Sequence, residues 1–153
     1  MIVGHLPAGY LAGVLAQRAG AAPALAWGIL VGAVLPDIDM LWFWFVDRGA
    51  VHHHTYLTHR PIVWALVAVA GLAFRSRAMV GVGLGGLLHM VLDSIVGAIA
   101  WGWPYTGASA PFVVVPATQS HWVLSFMTHW TFLVEIAFVL VACAVFVTRR
   151  RRG

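Results

Sequence analysis

Long apolar stretches, each closed by a glycine, proline or arginine break, organise this chain. They predict five helices: residues 5–17, 24–46 with a kink or break near Pro36, 58–74, 78–100 and 120–147. Several of these runs approach the ~20 apolar residues needed to cross a bilayer as a helix. The polar stretch DRGAVHHHTYLTHR reads as a loop after the second helix. WGWPYTGASAPFVVVPATQ, rich in tryptophan and proline, reads as an interfacial excursion before the fifth. Gly28 with Gly32, and Gly81 with Gly85, have the four-residue spacing that lets helix backbones approach closely.

Composition turns these runs into membrane helices. The 153 residues are 61% hydrophobic and 9% charged, with eight tryptophans, whereas a soluble domain carries about 25% charged residues. The expected architecture is therefore one all-α domain, residues 1–153: an integral membrane bundle of about five helices. The first residues lack the basic region and cleavage pattern of a signal peptide and are expected to be retained. Cys143 is the single cysteine, which excludes a disulfide framework and a thiolate metal cluster.

Charge sets the orientation. The net charge of +4 comes from nine arginines against five acids, and four of the arginines form the tail Arg149 to Arg152. That tail is a topology anchor facing anionic lipid, and nucleic acid is not an expected partner. Arg18, the Arg75/Arg77 pair and the tail are separated by one helical hairpin each, so all three can face the cytoplasm. The histidine loop and the aromatic excursion are thus expected to face outward.

Polar residues inside the apolar runs then share a level. At ~1.5 Å rise per residue, His5, Asp37, His59, His89 and Asp93 lie ~18–24 Å above the cytoplasmic breaks, and His129 lies ~30 Å above. His89 and Asp93, four residues apart, project from one helix face. Asp37 and Asp39 would point apart on an intact helix, but a break at Pro36 removes that conflict. Acids and imidazoles without sulfur suit a divalent metal bound through nitrogen and oxygen, zinc or manganese first. Metal charge would also offset the cost of carboxylates in the membrane. Their number exceeds what one tetrahedral ion needs and suits two ions.

Four motifs, GHLPAG, LPDID, HTYLTHR and LLHMVLD, occur in order over residues 4–104. With them the chain resembles a bacterial inner-membrane family of metal-dependent hydrolases of the YdjM type. The resemblance implies a site made by His5, Asp37, Asp39, His54, His59, His89 and Asp93. On both grounds the metal ligands are expected to be His5, Asp37, Asp39, His59, His89 and Asp93, in the outer-leaflet half. His52 and His53 read as ordinary loop histidines, and His121 as an interfacial residue.

The expected activity is hydrolysis of a membrane lipid or lipid-linked substrate, at a phosphoester before an acyl ester or amide. Arg60, beside a helix N-terminus at Pro61, would clamp an anion beneath a rim of Trp101, Trp103 and Tyr105. One of His54, His129 and Glu135 would move the proton. A divalent metal transporter is the main competitor, but it would show repeat symmetry and a polar path to both sides, and neither is visible. A bis-histidine haem site is disfavoured by the adjacent aspartates. A metal-binding accessory protein, or one using polar pairs as helix glue, would not require a common depth.

Overall fold

The structure, a computed structural model, describes residues 3–152; residues 1, 2 and 153, the ends of the expected domain, lie outside them. Seven α-helices and no strand are present among the described residues: α1 His5–Arg18, α2 Pro23–Gly32, α3 Asp39–Phe45, α4 Pro61–Ala73, α5 Arg77–Asp93, α6 Trp122–Met127 and α7 Phe132–Arg150. A 3-10 turn, Leu35–Ile38, joins α2 to α3, and two more, His53–Thr55 and Leu57–His59, precede α4.

Local chemistry sets the boundaries. Pro23 and Pro61 each open a helix after an extended residue, the place where a missing N–H costs nothing. Ser76 caps α5 by accepting a hydrogen bond from Met79 N at 3.3 Å. Ser76→Ala should lower stability by about 1 kcal/mol, read as a lower unfolding midpoint in detergent with helix content retained. The second predicted helix does break at Pro36, and its two parts bend by 45°.

Two expected helices are shorter or divided. The fourth ends at Asp93 and not near Ala100, because the aromatic excursion folds back onto its end. Phe112 N donates to Ser94 O and Val113 N to Ile95 O, both at 2.8 Å, and Trp101 Nε1 donates to Ser94 Oγ at 2.8 Å. Carbonyls past the helix end thus find partners outside the helical ladder. The fifth divides at residues 128–131. There Thr128 Oγ1 donates to Leu124 O and Ser125 O, and His129 Nδ1 accepts from Thr131 N. Such side chain–backbone bonds compete with the helical ladder.

Backbone contact between α2 and α5 forms the centre. A Cβ on Gly32 would lie 2.1 Å from Val82 O, and one on Gly85 would lie 2.2 Å from Ile29 O. Gly28 and Gly81 face each other at the same crossing, each 2.9 Å from the other's Cα by the same measure. The glycine spacings read from the sequence are thus the seam between these two helices. Helix α1 packs on α2, α4 packs on α5, and α7 packs on α1.

Apolar side chains also cover the outside: Trp27, Leu66, Leu72, Leu133 and Leu140 are all exposed. Large exposed apolar surface of this kind is foreign to a soluble monomer. Length tells a coarser story than the five expected crossings. Only α7 among the described residues is long and apolar enough to cross a membrane, with the bent pair α2 and Leu35–Phe45 as a second. Helices α1 and α4, of 14 and 13 residues, reach ~20 Å against the ~30 Å hydrocarbon core.

Candidate metal centre

The polar residues of the apolar runs meet at one end of the bundle. His5 opens α1, Asp93 closes α5, His89 lies one turn earlier, Asp37 sits in the 3-10 turn after α2, and His59 precedes α4. Helix ends at a common level therefore deliver side chains from four segments to one place.

Asp93 is the hub. Its Oδ1 lies 3.1 Å from His5 Nε2, and its Oδ2 lies 3.1 Å from His89 Nε2, 3.3 Å from His54 Nε2 and 3.5 Å from His59 Nε2. Asp37 approaches the same imidazoles from the other side, 3.6 Å from His5 Nδ1, 3.6 Å from His89 Nε2 and 3.7 Å from His59 Nε2. The His5 and His89 rings stack, with centroids 3.7 Å apart. Asp93 is 2% exposed at its side chain and Asp37 35%, so the cluster opens on the Asp37 side.

Surrounding groups aim two of the rings. His89 Nδ1 bonds to the Ala33 carbonyl at 2.8 Å, which makes Nδ1 the donor and presents Nε2 to the cluster. His59 Nδ1 bonds to Asp39 Oδ2 at 2.6 Å, and Thr58 Oγ1 donates to that same oxygen. This carboxylate–imidazole pairing is the usual support behind a metal-binding histidine. It sets Asp39 behind His59, and Asp39 is absent from the three groupings that could hold an ion.

Those groupings are His5/Asp37/His89, His59/His89/Asp93 and His53/His54/His59, with the potential ligand atoms of each within 4.8 Å of one another. A divalent metal fits them on two observations. His5 Nδ1 and Nε2, His59 Nε2 and His89 Nε2 are buried and meet only carboxylate oxygens, at 3.1 to 3.7 Å and without full hydrogen-bond geometry, and His54 Nδ1 is buried with no hydrogen bond among the described residues, a cost a bound cation would remove. Tetrahedral bonds of ~2.05 Å place ligand atoms ~3.3 Å apart, and the contacts of Asp93 and Asp37 with the imidazoles fall between 3.1 and 3.7 Å.

His53 enters through its place in the loop and not through any spacing visible in the sequence. Its ring packs 4.2 Å from that of His54 and 5.1 Å from that of His59. Burial, then the neighbouring imidazoles, push its pKa down to about 3, so it stands neutral at physiological pH. Gly97 makes room for the loop: a Cβ there would lie 2.3 Å from His54 Cε1.

The remaining expected residues lie elsewhere. Glu135, expected to move a proton, is fully buried and accepts the amides of Val3 at 2.5 Å and Gly4 at 3.0 Å. It completes the N-terminus of α1, which has no side-chain cap of its own. His129 bonds to Thr131 Oγ1 at 2.9 Å at the break in the last helix and belongs to none of the three groupings. His121 caps α6. Arg60 donates to Thr55 O at 2.6 Å and lies 6.0 Å over the Trp103 ring, which joins it to the aromatic rim.

A family model described as YdjM inner membrane protein matches residues 1–152 of the chain. No curated protein and no solved structure matches it.

Proposed function

This chain belongs to the YdjM inner membrane protein family, and we propose that it is a multi-pass, metal-dependent hydrolase of a lipid-linked ester. The observation that carries the proposal is the convergence of His5, His54, His59 and His89 on Asp93, buried at one end of a bundle with an apolar exterior. Imidazoles and carboxylates held against one another at this density are expensive without a cation and ordinary with one.

Two of the groupings share no residue, and Asp93 touches both: its Oδ1 lies against His5, and its Oδ2 lies against His89 as well as His54 and His59. In this reading His5, Asp37 and His89 would hold one divalent ion and His53, His54 and His59 a second, and Asp93, in contact with both sets, would supply negative charge to the pair. Zinc or manganese suits the nitrogen and oxygen donors. Such ions acidify water and offset negative charge that develops on a substrate oxygen. The protein's own groups prepare the place. The Ala33 carbonyl and Asp39 fix the His89 and His59 rings, and Asp37 faces the opening through which an ester would enter. Arg60, held by Thr55 O and 6.0 Å over the Trp103 ring, would supply a fixed positive charge for an anionic headgroup. A phosphoester is favoured on that account: water adds to phosphorus, the bond to the lipid alcohol breaks, and alcohol and phosphate leave.

The short helices fit a bundle that crosses once through α7 and once through the bent α2–α3 pair. In this proposal α1, α4 and α5, each shorter than the hydrocarbon core by itself, make up the remaining crossings of a bundle of about five, with the cluster in the outer leaflet. Impermeant thiol labelling of whole cells should reach Ser109→Cys and not Gly153→Cys, a position outside the described residues. The reverse pattern would move the cluster to the cytoplasmic leaflet.

Activity is tested by incubating metal-replete, detergent-purified protein with phospholipids and polyprenyl phosphates and reading product masses. A released phosphate or lipid alcohol is expected. A released fatty acid would replace the phosphoester by an acyl ester. No cleavage together with divalent-metal flux in proteoliposomes would replace the hydrolase by a transporter.

A further inference from the structure

At the opposite end of the bundle the charges are unbalanced. All five acids are engaged elsewhere: Asp37, Asp39 and Asp93 with the imidazoles, Asp47 with the Tyr56 hydroxyl, and Glu135 with the amides at the start of α1. Every ion pair among the described residues has a histidine as its cation. Among the described residues, Arg149 and Arg150 therefore have no carboxylate to face.

They stand at the mouth of a groove of about 320 Å³ between α1, α2 and α7. Its walls are apolar, with Val14, Trp27, Leu30 and Phe146 among them. Arg149 is steered over the mouth by donating to Gln17 Oε1 at 2.9 Å. The groove thus joins an apolar trough, open to the bilayer side of an exposed Trp27, to two guanidinium groups at its end.

We infer that this groove binds one anionic glycerophospholipid, with an acyl chain along the trough and the phosphate on Arg149 and Arg150. The charge complementarity is specific in sign. A zwitterionic headgroup would bring an ammonium to a mouth lined by no carboxylate among the described residues, whereas an anionic one brings only what the arginines attract. This inference stands apart from the hydrolase reading, because the groove shares no residue with the metal cluster.

Native mass spectrometry of delipidated protein in detergent, titrated with phosphatidylglycerol or phosphatidylcholine, tests it. One phosphatidylglycerol should be retained, and Arg149→Gln/Arg150→Gln should weaken it by about five-fold per arginine. Arg151→Gln/Arg152→Gln, the same charge change beyond the groove, should leave it within about two-fold. Equal losses in the two pairs would show diffuse attraction to the tail and overturn the site. Should the first pair fail to fold, Leu30→Trp, which fills the trough, should abolish retention at unchanged tail charge; retention in it would overturn the site as well. Equal binding of glycerol phosphate, or a lipid-free dimer that Leu30→Trp disperses, would assign the mouth or trough to another occupant and do the same.

Discussion

Asp93→Asn should strip the divalent metal from the purified protein, weakening its retention by about a hundredfold or more. That scale follows from removing one charge out of a buried cluster that depends on it. Asp93 touches all four converging imidazoles, its side chain is 2% exposed, and an amide cannot balance a dication. Helix content should survive, because the substitution keeps the shape of the side chain and α5 is held by its glycine seam with α2. Elemental analysis after metal-replete purification reads the result, with wild type expected near two equivalents. Asp47→Asn, whose carboxylate accepts from the Tyr56 hydroxyl in the loop and belongs to none of the three groupings, should retain wild-type metal. If wild type itself holds less than about a tenth of an equivalent, the cluster is polar glue between helices and the metal reading fails.

Much of this centre was legible because it obeys simple periodicities. His89 and Asp93 are one helical turn apart, and the shared height of His5, Asp37, His59 and His89 above the cytoplasmic breaks becomes a shared end of the bundle in the fold. The break at Pro36 and the seam at Gly32 and Gly85 were legible for the same reason: proline and glycine constrain the backbone by themselves. What stayed hidden depends on partners far along the chain. Nothing local marks Glu135 as the acceptor for amides more than 130 positions away. The end of α5 at Asp93 needs Phe112 and Val113 to take up Ser94 O and Ile95 O, and an apolar run carries no sign of that. His53 joined the cluster only because two 3-10 turns wrap the histidine loop back over His59. The division of the last helix at residues 128–131 turns on threonine and histidine bonds to nearby backbone, in a run with no proline or glycine to announce it.

Asp39 offers the sharpest test of how the centre is organised, since sequence and structure give it different places. The LPDID motif suggests a ligand, whereas its Oδ2 is engaged by the His59 ring and the Thr58 hydroxyl. As the group that fixes the His59 tautomer, Asp39 should act through His59. Asp39→Asn should then weaken metal binding about 10- to 100-fold, the usual effect of losing such a support, without changing how many ions bind. With cobalt in place of the native ion, the visible bands should keep their shape and fill only at higher metal concentration. Thr58→Val should weaken binding in the same direction, and the double variant should fall short of the product of the two, because both groups act on one oxygen. The competing role has its own signature. Asp39 Oδ1 is buried and makes no hydrogen bond among the described residues, and it is the atom through which direct ligation would occur. Loss of one equivalent of metal, or a changed cobalt spectrum at saturation, would make Asp39 a ligand and reduce the His59 contact to a by-product of crowding.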